Sequence, residues 1–347
     1  MKKITFFVVF AFVVAVTGFS QANLQPAATV SLIRTETITV GQLRTEVERI
    51  ERSMGQSLNG QQRREVLDGM INERLMLQAA ERDRIGVTEN ELNMEINQLR
   101  AQMVPMLGRQ PTEAEFATAI RNEFGLEMPI FREQTRRQLI QQRYLFSQKQ
   151  SLLESATPPT ESEIVSMFEL TRAQFVRPEM VRISVIQVPY GPDAASRTRA
   201  RQQVDELHRE INNNANRFAE VLLRSQAPNS TFQGGDAGFI ERNLETAQRV
   251  GQDFVNLVFG MRPGEISRVL ERPTGFQILK ITEAHTMRNL GLEDVIHPGT
   301  NITLRAHIAN AMMQERQMRV LVQATQELHA ELRRGRTFQI FDANLNW

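Results

Sequence analysis

The sequence predicts an α+β protein: a helical N-terminal block, a compact module mixing strands with helices, and a closing helix and strand. Three observations carry this. From Gly41 to Leu153 the apolar residues recur at helical spacing and Ser/Thr-x-x-Glu caps punctuate the run. At Pro178 the pattern switches to two-residue alternation. Between the strand-like segments lie glycine-rich and Pro-Gly turns.

Taken in order, Val30 to Val40 reads as a short extended stretch with Leu32, Ile38 and Val40 alternating. A helix from Gly41 to about Met54 carries Leu43, Val47 and Ile50 on one face. The next, about Gln61 to Arg84, places Val66, Leu67, Met70, Ile71 and Leu75 at helical spacing and stops at Gly86. Thr88 with Glu91, Thr112 with Glu115, and Thr160 with Glu163 are capping boxes that each start a helix. A long helix runs from Pro129 to about Leu153, and the helical block extends to about residue 178. Val181 to Val188 then alternates as a half-buried strand. Helices over 194–212 and 218–223 follow, and glycine-rich chain at Gly234-Gly235-Asp236 leads to a helix near Phe254 to Phe259. Pro263-Gly264 is a turn, Val269-Leu270 and Phe276 to Ile281 are strand-like, Leu304 to Leu332 is helical, and Phe338 to Phe341 is a short strand.

The length of 347 residues suits two or three domains with real cores. With 41 Lys+Arg against 40 Asp+Glu, the chain lacks the basic excess of a nucleic-acid binder. It has no cysteine, which excludes disulfides, cysteine metal sites, a thiol nucleophile and a lipid-bearing cysteine. The five histidines show no metal-ligand spacing, no nucleophile motif or phosphate loop is present, and neither metal nor cofactor is expected. His307 and His329 are expected to be solvated or capping on the last helix.

Met1-Lys2-Lys3, an apolar run from Ile4 to Phe19, and small residues at Ser20 and Ala22 form the layout of a secretory signal cleaved after Ala22. The apolar run falls short of the about 20 residues a bilayer span needs, so an exported chain without stable membrane insertion is expected.

Six blocks carry a resemblance. Phe218-Ala219-Glu220, Ser225-Gln226, Gln233-Gly234-Gly235-Asp236-Ala237-Gly238, the pair Phe254 and Phe259, Pro263-Gly264-Glu265-Ile266-Ser267 and Gly275-Phe276-Gln277-Ile278-Leu279-Lys280 stand in the order and spacing of a parvulin domain. The chain resembles the SurA/PrsA family of periplasmic chaperones that carry such a peptidyl-prolyl isomerase domain. The resemblance implies a signal over 1–22, an N-terminal chaperone domain over 23–178, a parvulin domain over 179–285, and a C-terminal helix and strand over 286–347 that return to pack on the N-terminal domain. It implies unfolded or nascent exported proteins, and their X-Pro segments, as partners.

At the active-site positions this sequence departs from the family. Aligned with the family's His-Ile-Leu-Val pattern, Ser184 replaces the first histidine. Ala227 stands at the Asp/Cys position, Arg272 at the Thr/Ser position, and Gln277 replaces the second histidine. The proline pocket keeps its aromatic floor at Phe254, with Val250 where Met is usual and Ala237 where Leu is usual. A Ser184–Gln277 hydrogen bond is the expected remnant of the polar cluster. Paired glycines are expected to let chain pass close to the sheet, and Asp236 to hold its own turn.

What remains is binding, for which methionine-rich surfaces suit because thioethers repack easily. Met103 and Met106, beside the helix-breaking Pro105, are the candidate client contacts. Three readings follow: a chaperone whose parvulin module has lost efficient catalysis, a working isomerase of X-Pro bonds, and an adaptor with one fixed partner.

Overall fold

The computed structural model describes residues 23–104, 108–335 and 337–347. The expected signal over 1–22 and Met106 lie outside the described residues. The fold is α+β, and the chain divides into two compact units: residues 1–157 with 315–347, and residues 158–314.

The first unit is built on a three-stranded antiparallel sheet. Strands β1 (Pro26–Ser31) and β2 (Thr35–Thr39) form a hairpin, and β9 (Phe338–Ile340) pairs with the other edge of β1. The register sets Ala28 opposite Ile340, Thr29 opposite Gln339 and Val30 opposite Phe338. The C-terminal strand thus completes the N-terminal unit, whereas residues 286–314, which the resemblance also placed there, fall in the second unit. The stretch read as one extended segment over 30–40 is instead this hairpin, with Val30 on β1 and Ile38 on β2.

Helices α1 (Val40–Met54), α2 (Gly60–Arg82), α3 (Glu89–Ala101), α4 (Glu113–Phe124) and α5 (Met128–Leu153) follow. Capping boxes start α1 at Thr39 and α2 at Asn59, and those read at Thr88 and Thr112 start α3 and α4. Leu43, Val47, Leu67, Ile71 and Leu75 meet Tyr144, Leu328 and the strand residues Ala28, Val30 and Ile38 in one core. A satellite core joins Leu92, Ile96, Phe116 and Ile120, with Phe131 edge-on to Phe116 at 6.1 Å. Met103, read from the sequence as a candidate client contact, packs half-buried against this satellite.

Gln78 on α2 is fully buried, and its amide satisfies the hairpin turn. Its Oε1 accepts from the Leu32 and Ile33 N–H groups at 3.0 and 3.1 Å, and Nε2 donates to Glu36 at 3.0 Å. The last helix, α11 (Leu304–Leu332), is tied to α2 by Arg333, whose Nε donates to Asn72 at 2.7 Å and whose Nη2 donates to the Asp68 carboxylate at 2.7 Å. The Trp347 ring is met by two guanidinium groups, Arg44 at 4.7 Å and Arg63 at 4.8 Å from its centroid. His329 is half-buried, its Nε2 3.2 Å from the Met76 sulfur, rather than solvated as the sequence suggested.

The second unit holds a four-stranded antiparallel sheet in the order β5-β4-β7-β6. Its strands are β4 (Met180–Pro189), β5 (Gln233–Glu241), β6 (Leu270–Arg272) and β7 (Gly275–His285). Helices α7 (Ala194–Ile211) and α8 (Ala215–Arg224) pack on one face, through Ile186, Val188, Phe276 and Ile278. The helices α9 (Leu244–Val250) and α10 (Gln252–Gly260) cover the other, through Ile183, Leu279, Ile281, Phe254 and Val258. Two elements differ from the sequence reading. Gln233–Glu241, read as glycine-rich connection, is a full edge strand, because β4 supplies a hydrogen-bonding partner along its length. Leu244–Val250 is a short helix capped by Asn243, too brief for periodicity to reveal.

Helix α6 (Glu161–Thr171) belongs to the second unit, where the sequence ran the N-terminal block to residue 178. The reason is its apolar face: Ile164 and Phe168 pack with Leu290 and with Leu304 and Ile308 of the first turns of α11. A two-stranded ribbon of β3 (Val176–Arg177) and β8 (Arg288–Asn289) lies beside them in sequence.

Two outcomes follow from the first unit. Gln78→Ala leaves the Leu32 and Ile33 N–H groups without an acceptor and costs about 2–4 kcal/mol. Trp347, the chain's one tryptophan, reports the loss as a lowered fluorescence midpoint in urea. Burial, and then the Arg333 charge, hold the His329 imidazole below its ordinary value of 6.5. The unfolded chain therefore takes up a proton that the fold resists, so this contribution is present above about pH 6.5 and is lost as pH falls through the lowered folded value. The same midpoint should drop on acidification, and His329→Gln should flatten that part of the profile.

Candidate functional site

The sheet's register decides which of the sequence-predicted positions meet. Along β4, Ser184, Ile186 and Val188 share one face, and they pair with Lys280, Ile278 and Phe276 of β7. Val185 and Gln187 share the other face and pair with Leu279 and Gln277. Ser184 is therefore turned to α7 and α8, and Gln277 to the face that holds Phe254. The expected Ser184–Gln277 hydrogen bond is not made. Gln277 Nε2 instead donates to Gln187 Oε1 at 3.0 Å, and Gln187 Nε2 donates to Thr274 Oγ1 at 3.3 Å.

This parity separates two positions that the sequence reading put together. Val185 packs on the core that contains Phe254. A one-residue slip carries a side chain to the opposite face of a sheet, and only the pairing shows which face is which. Val185 brings to the Phe254 face an isopropyl group, with no proton to donate or accept.

Phe254, Val250 and Arg272 do come together. Phe254 is buried on α10, and Val250 ends α9 beside it. Arg272 closes the two-residue hairpin between β6 and β7, opposite Gly275, and shares a face with Leu270. Its guanidinium carbon lies 4.6 Å from the Phe254 ring centroid, and its Nη2 donates to the Val250 carbonyl at 2.7 Å. The Tyr190 hydroxyl donates to the Arg272 carbonyl at 2.8 Å and anchors the hairpin. The aromatic floor is present, and a guanidinium lies across it.

Ala227 and Ala237 are both exposed. Ala227 is exposed in the turn after α8, where its N–H donates to the Arg224 carbonyl at 3.2 Å. Ala237 is the extra residue of a β-bulge: Ile183 pairs with Gly238 and Ser184 with Asp236, which leaves Ala237 unpaired and exposed. Asp236 holds that bulge as expected, accepting from the Gly238 N–H at 2.9 Å. Its Oδ2 also accepts from Arg182 Nε at 2.9 Å, and Arg182 Nη1 donates to Glu283 at 2.9 Å. The Arg182 guanidinium holds both carboxyls below their ordinary range, but all three groups are well exposed, so the clamp positions strands more than it stabilises them.

Sequence reasoning missed Gln187, Val185 and the cover formed by Arg272. The alternation of Leu270 and Arg272 along β6, with Leu270 apolar, was the one signal that could have placed Arg272 over the floor.

With this geometry in view, the comparisons fall on both parts of the chain. Residues 184–283 match the PPIC-type PPIase domain, and residues 1–145 match the SurA-like N-terminal domain. The chain is similar to Chaperone SurA of Chromohalobacter salexigens, 25% identical over 273 residues, covering 76% of this chain and 59% of that protein. It is similar also to Chaperone SurA of Pseudomonas putida, 24% identical over 294 residues, covering 82% of this chain and 65% of that protein. It therefore spans less than two thirds of the length of either relative. Among solved structures it is similar to one of two SurA-like chaperones of Campylobacter jejuni, at 14% identity and a TM-score of 0.39 over 91% of this chain and 99% of that one. PrsA from Bacillus subtilis is another, at 14% identity and a TM-score of 0.28 over 85% of this chain and 89% of that one.

The paired glycines give a test of the module. A Cβ on Gly234 would lie 2.8 Å from Leu222 Cδ1, 2.8 Å from Ser225 Oγ and 3.1 Å from the Val185 carbonyl oxygen, whereas one on Gly235 meets nothing within 4 Å. Gly234→Ala should cost about 1–3 kcal/mol. Gly235→Ala should stay within about 0.5 kcal/mol. Amide exchange of β4 and β5 reads the difference.

Proposed function

We propose that this chain, which joins a SurA-like N-terminal domain to a PPIC-type PPIase domain, works as a periplasmic chaperone that holds unfolded exported proteins while its PPIase domain contributes little or no isomerisation. The observation that carries this reading is the state of the proline site. Its floor, Phe254, lies under Arg272, and the two facing positions are an aliphatic Val185 and a Gln277 amide already bonded to Gln187. Lowering an amide rotation barrier of about 18–20 kcal/mol requires a pocket that grips the proline ring and polar groups that favour the twisted amide. A guanidinium over the ring, and an isopropyl group beside an amide that is already bonded, support little or no isomerisation.

The binding surface lies elsewhere in this reading. Met94, Phe124 and Ile130 stand exposed on α3, α4 and α5, and Met318, Leu321 and Val322 form an exposed apolar stripe on α11. Such side chains, flexible and adaptable, suit contact with many apolar client segments. Export through the signal over 1–22, with cleavage after Ala22, belongs to the same proposal. No described helix is long and apolar enough to cross a membrane.

One observation favours the second reading, a working isomerase: the aromatic floor is retained at Phe254. Cis/trans isomerisation of an Ala-Pro or Phe-Pro test peptide by residues 23–347, beside an authentic parvulin, separates the two. The expected result is no acceleration above background together with slowed aggregation of several denatured substrates. Clear acceleration abolished by Phe254→Ala or Gln277→Ala would make the isomerase reading the correct one, and failure to slow any aggregation would end the chaperone reading.

A further inference from the structure

We propose that Arg272 is the residue that decides what the Phe254 site accepts: lying on the aromatic floor, it excludes neutral prolyl segments, and its removal opens a peptide-binding cleft. The inference rests on the reading that the PPIase domain here has lost its catalytic groups, and it adds what became of the pocket they served.

The geometry is that of an occupant. A planar guanidinium whose carbon is 4.6 Å from a ring centroid covers the surface that a proline ring would need. Its Nη2 bond to the Val250 carbonyl, at 2.7 Å, fixes the plane across the ring rather than letting it swing to solvent. The backbone leaves little freedom for another placement. Arg272 is locked opposite Gly275, its own carbonyl accepts from the Tyr190 hydroxyl at 2.8 Å, and the Tyr190 ring rests on Phe276 at 5.3 Å.

The cover is also weak enough to matter as selectivity rather than as a sealed core. Arg182, the other arginine on this sheet, has the carboxylate partners Asp236 and Glu283. The partners of the Arg272 guanidinium are a ring and one neutral carbonyl. A competing proline ring must displace those two contacts and return the guanidinium to water, which lowers its affinity by about tenfold. The neighbouring Gln277 and Gln187 amides, on the same face, would then be the groups available to an incoming peptide backbone.

The test is titration of a neutral Phe-Pro peptide into residues 23–347, followed by amide chemical shifts and calorimetry. Arg272→Ala should bind about tenfold tighter than the unaltered chain, with shifts centred on Phe254, Val250 and Gln277. Arg272→Ala combined with Phe254→Ala should lose the gain. Arg272→Gln, which keeps a polar side chain on the hairpin, gives the same reading if the alanine variant does not fold. A folded variant with unchanged affinity, or a gain that survives loss of Phe254, overturns the proposal. Isomerisation by the opened variant should stay at background, because Val185 and Gln277 are still in place. Aggregation suppression, measured in parallel, reports on the chaperone reading separately: its absence ends that reading and leaves the peptide result standing.

Discussion

The pairing of β9 with β1 is the constraint on which the first unit depends. β1 lies in the middle of its sheet, with β2 on one edge and residues 338–340 on the other. Without that last strand the Ala28 to Val30 backbone would expose an edge over buried side chains, since Ala28 and Val30 are fully buried. This pairing joins residues about 310 positions apart in the chain, and the loop-closure cost of such a contact grows only slowly with the length between them. The residues around the junction are arranged to hold it once formed. Gln78 satisfies the hairpin turn from inside, Arg333 ties α11 to α2, and Trp347 is met by Arg44 and Arg63.

The second unit is governed by a different rule, the alternation of a sheet covered on both faces. β4 and β7 are its central strands, and their residues divide between the α7–α8 core and the α9–α10 core. The make-up of the Phe254 face follows from that division. Val185, Gln187, Leu279 and Gln277 lie on the Phe254 face because of where β4 and β7 register, and Ser184 and Lys280 lie on the other for the same reason. The bulge at Ala237 is held by the Gly238 N–H, which donates to Asp236.

Function and stability separate cleanly along this line. The groups that make the module fold, Gly234 against α8 and the Arg182 clamp, lie away from the Phe254 face or at its margin. The groups that define the site are held by few contacts, chiefly the hairpin that carries Arg272. The side chains over the Phe254 floor can therefore vary in such a module with the scaffold intact.

By itself the sequence determined the α+β class, the helices with capping boxes, the central strands and the parvulin-like order of glycine and proline turns. These rest on local periodicity, capping and backbone permissiveness, which act over a few residues and are written in the chain directly. Only the tertiary structure decided that 233–241 is an edge strand, that α6 packs with the second unit, that Met103 packs half-buried against a core, and that His329 is half-buried against Met76. It alone also decided that Ser184 and Gln277 are on opposite faces and that Arg272 lies on Phe254. The physical reason is one of range: strand partners, faces and the reach of a long side chain are set by which segments meet in space, and two residues one position apart in a strand look alike until the register is known.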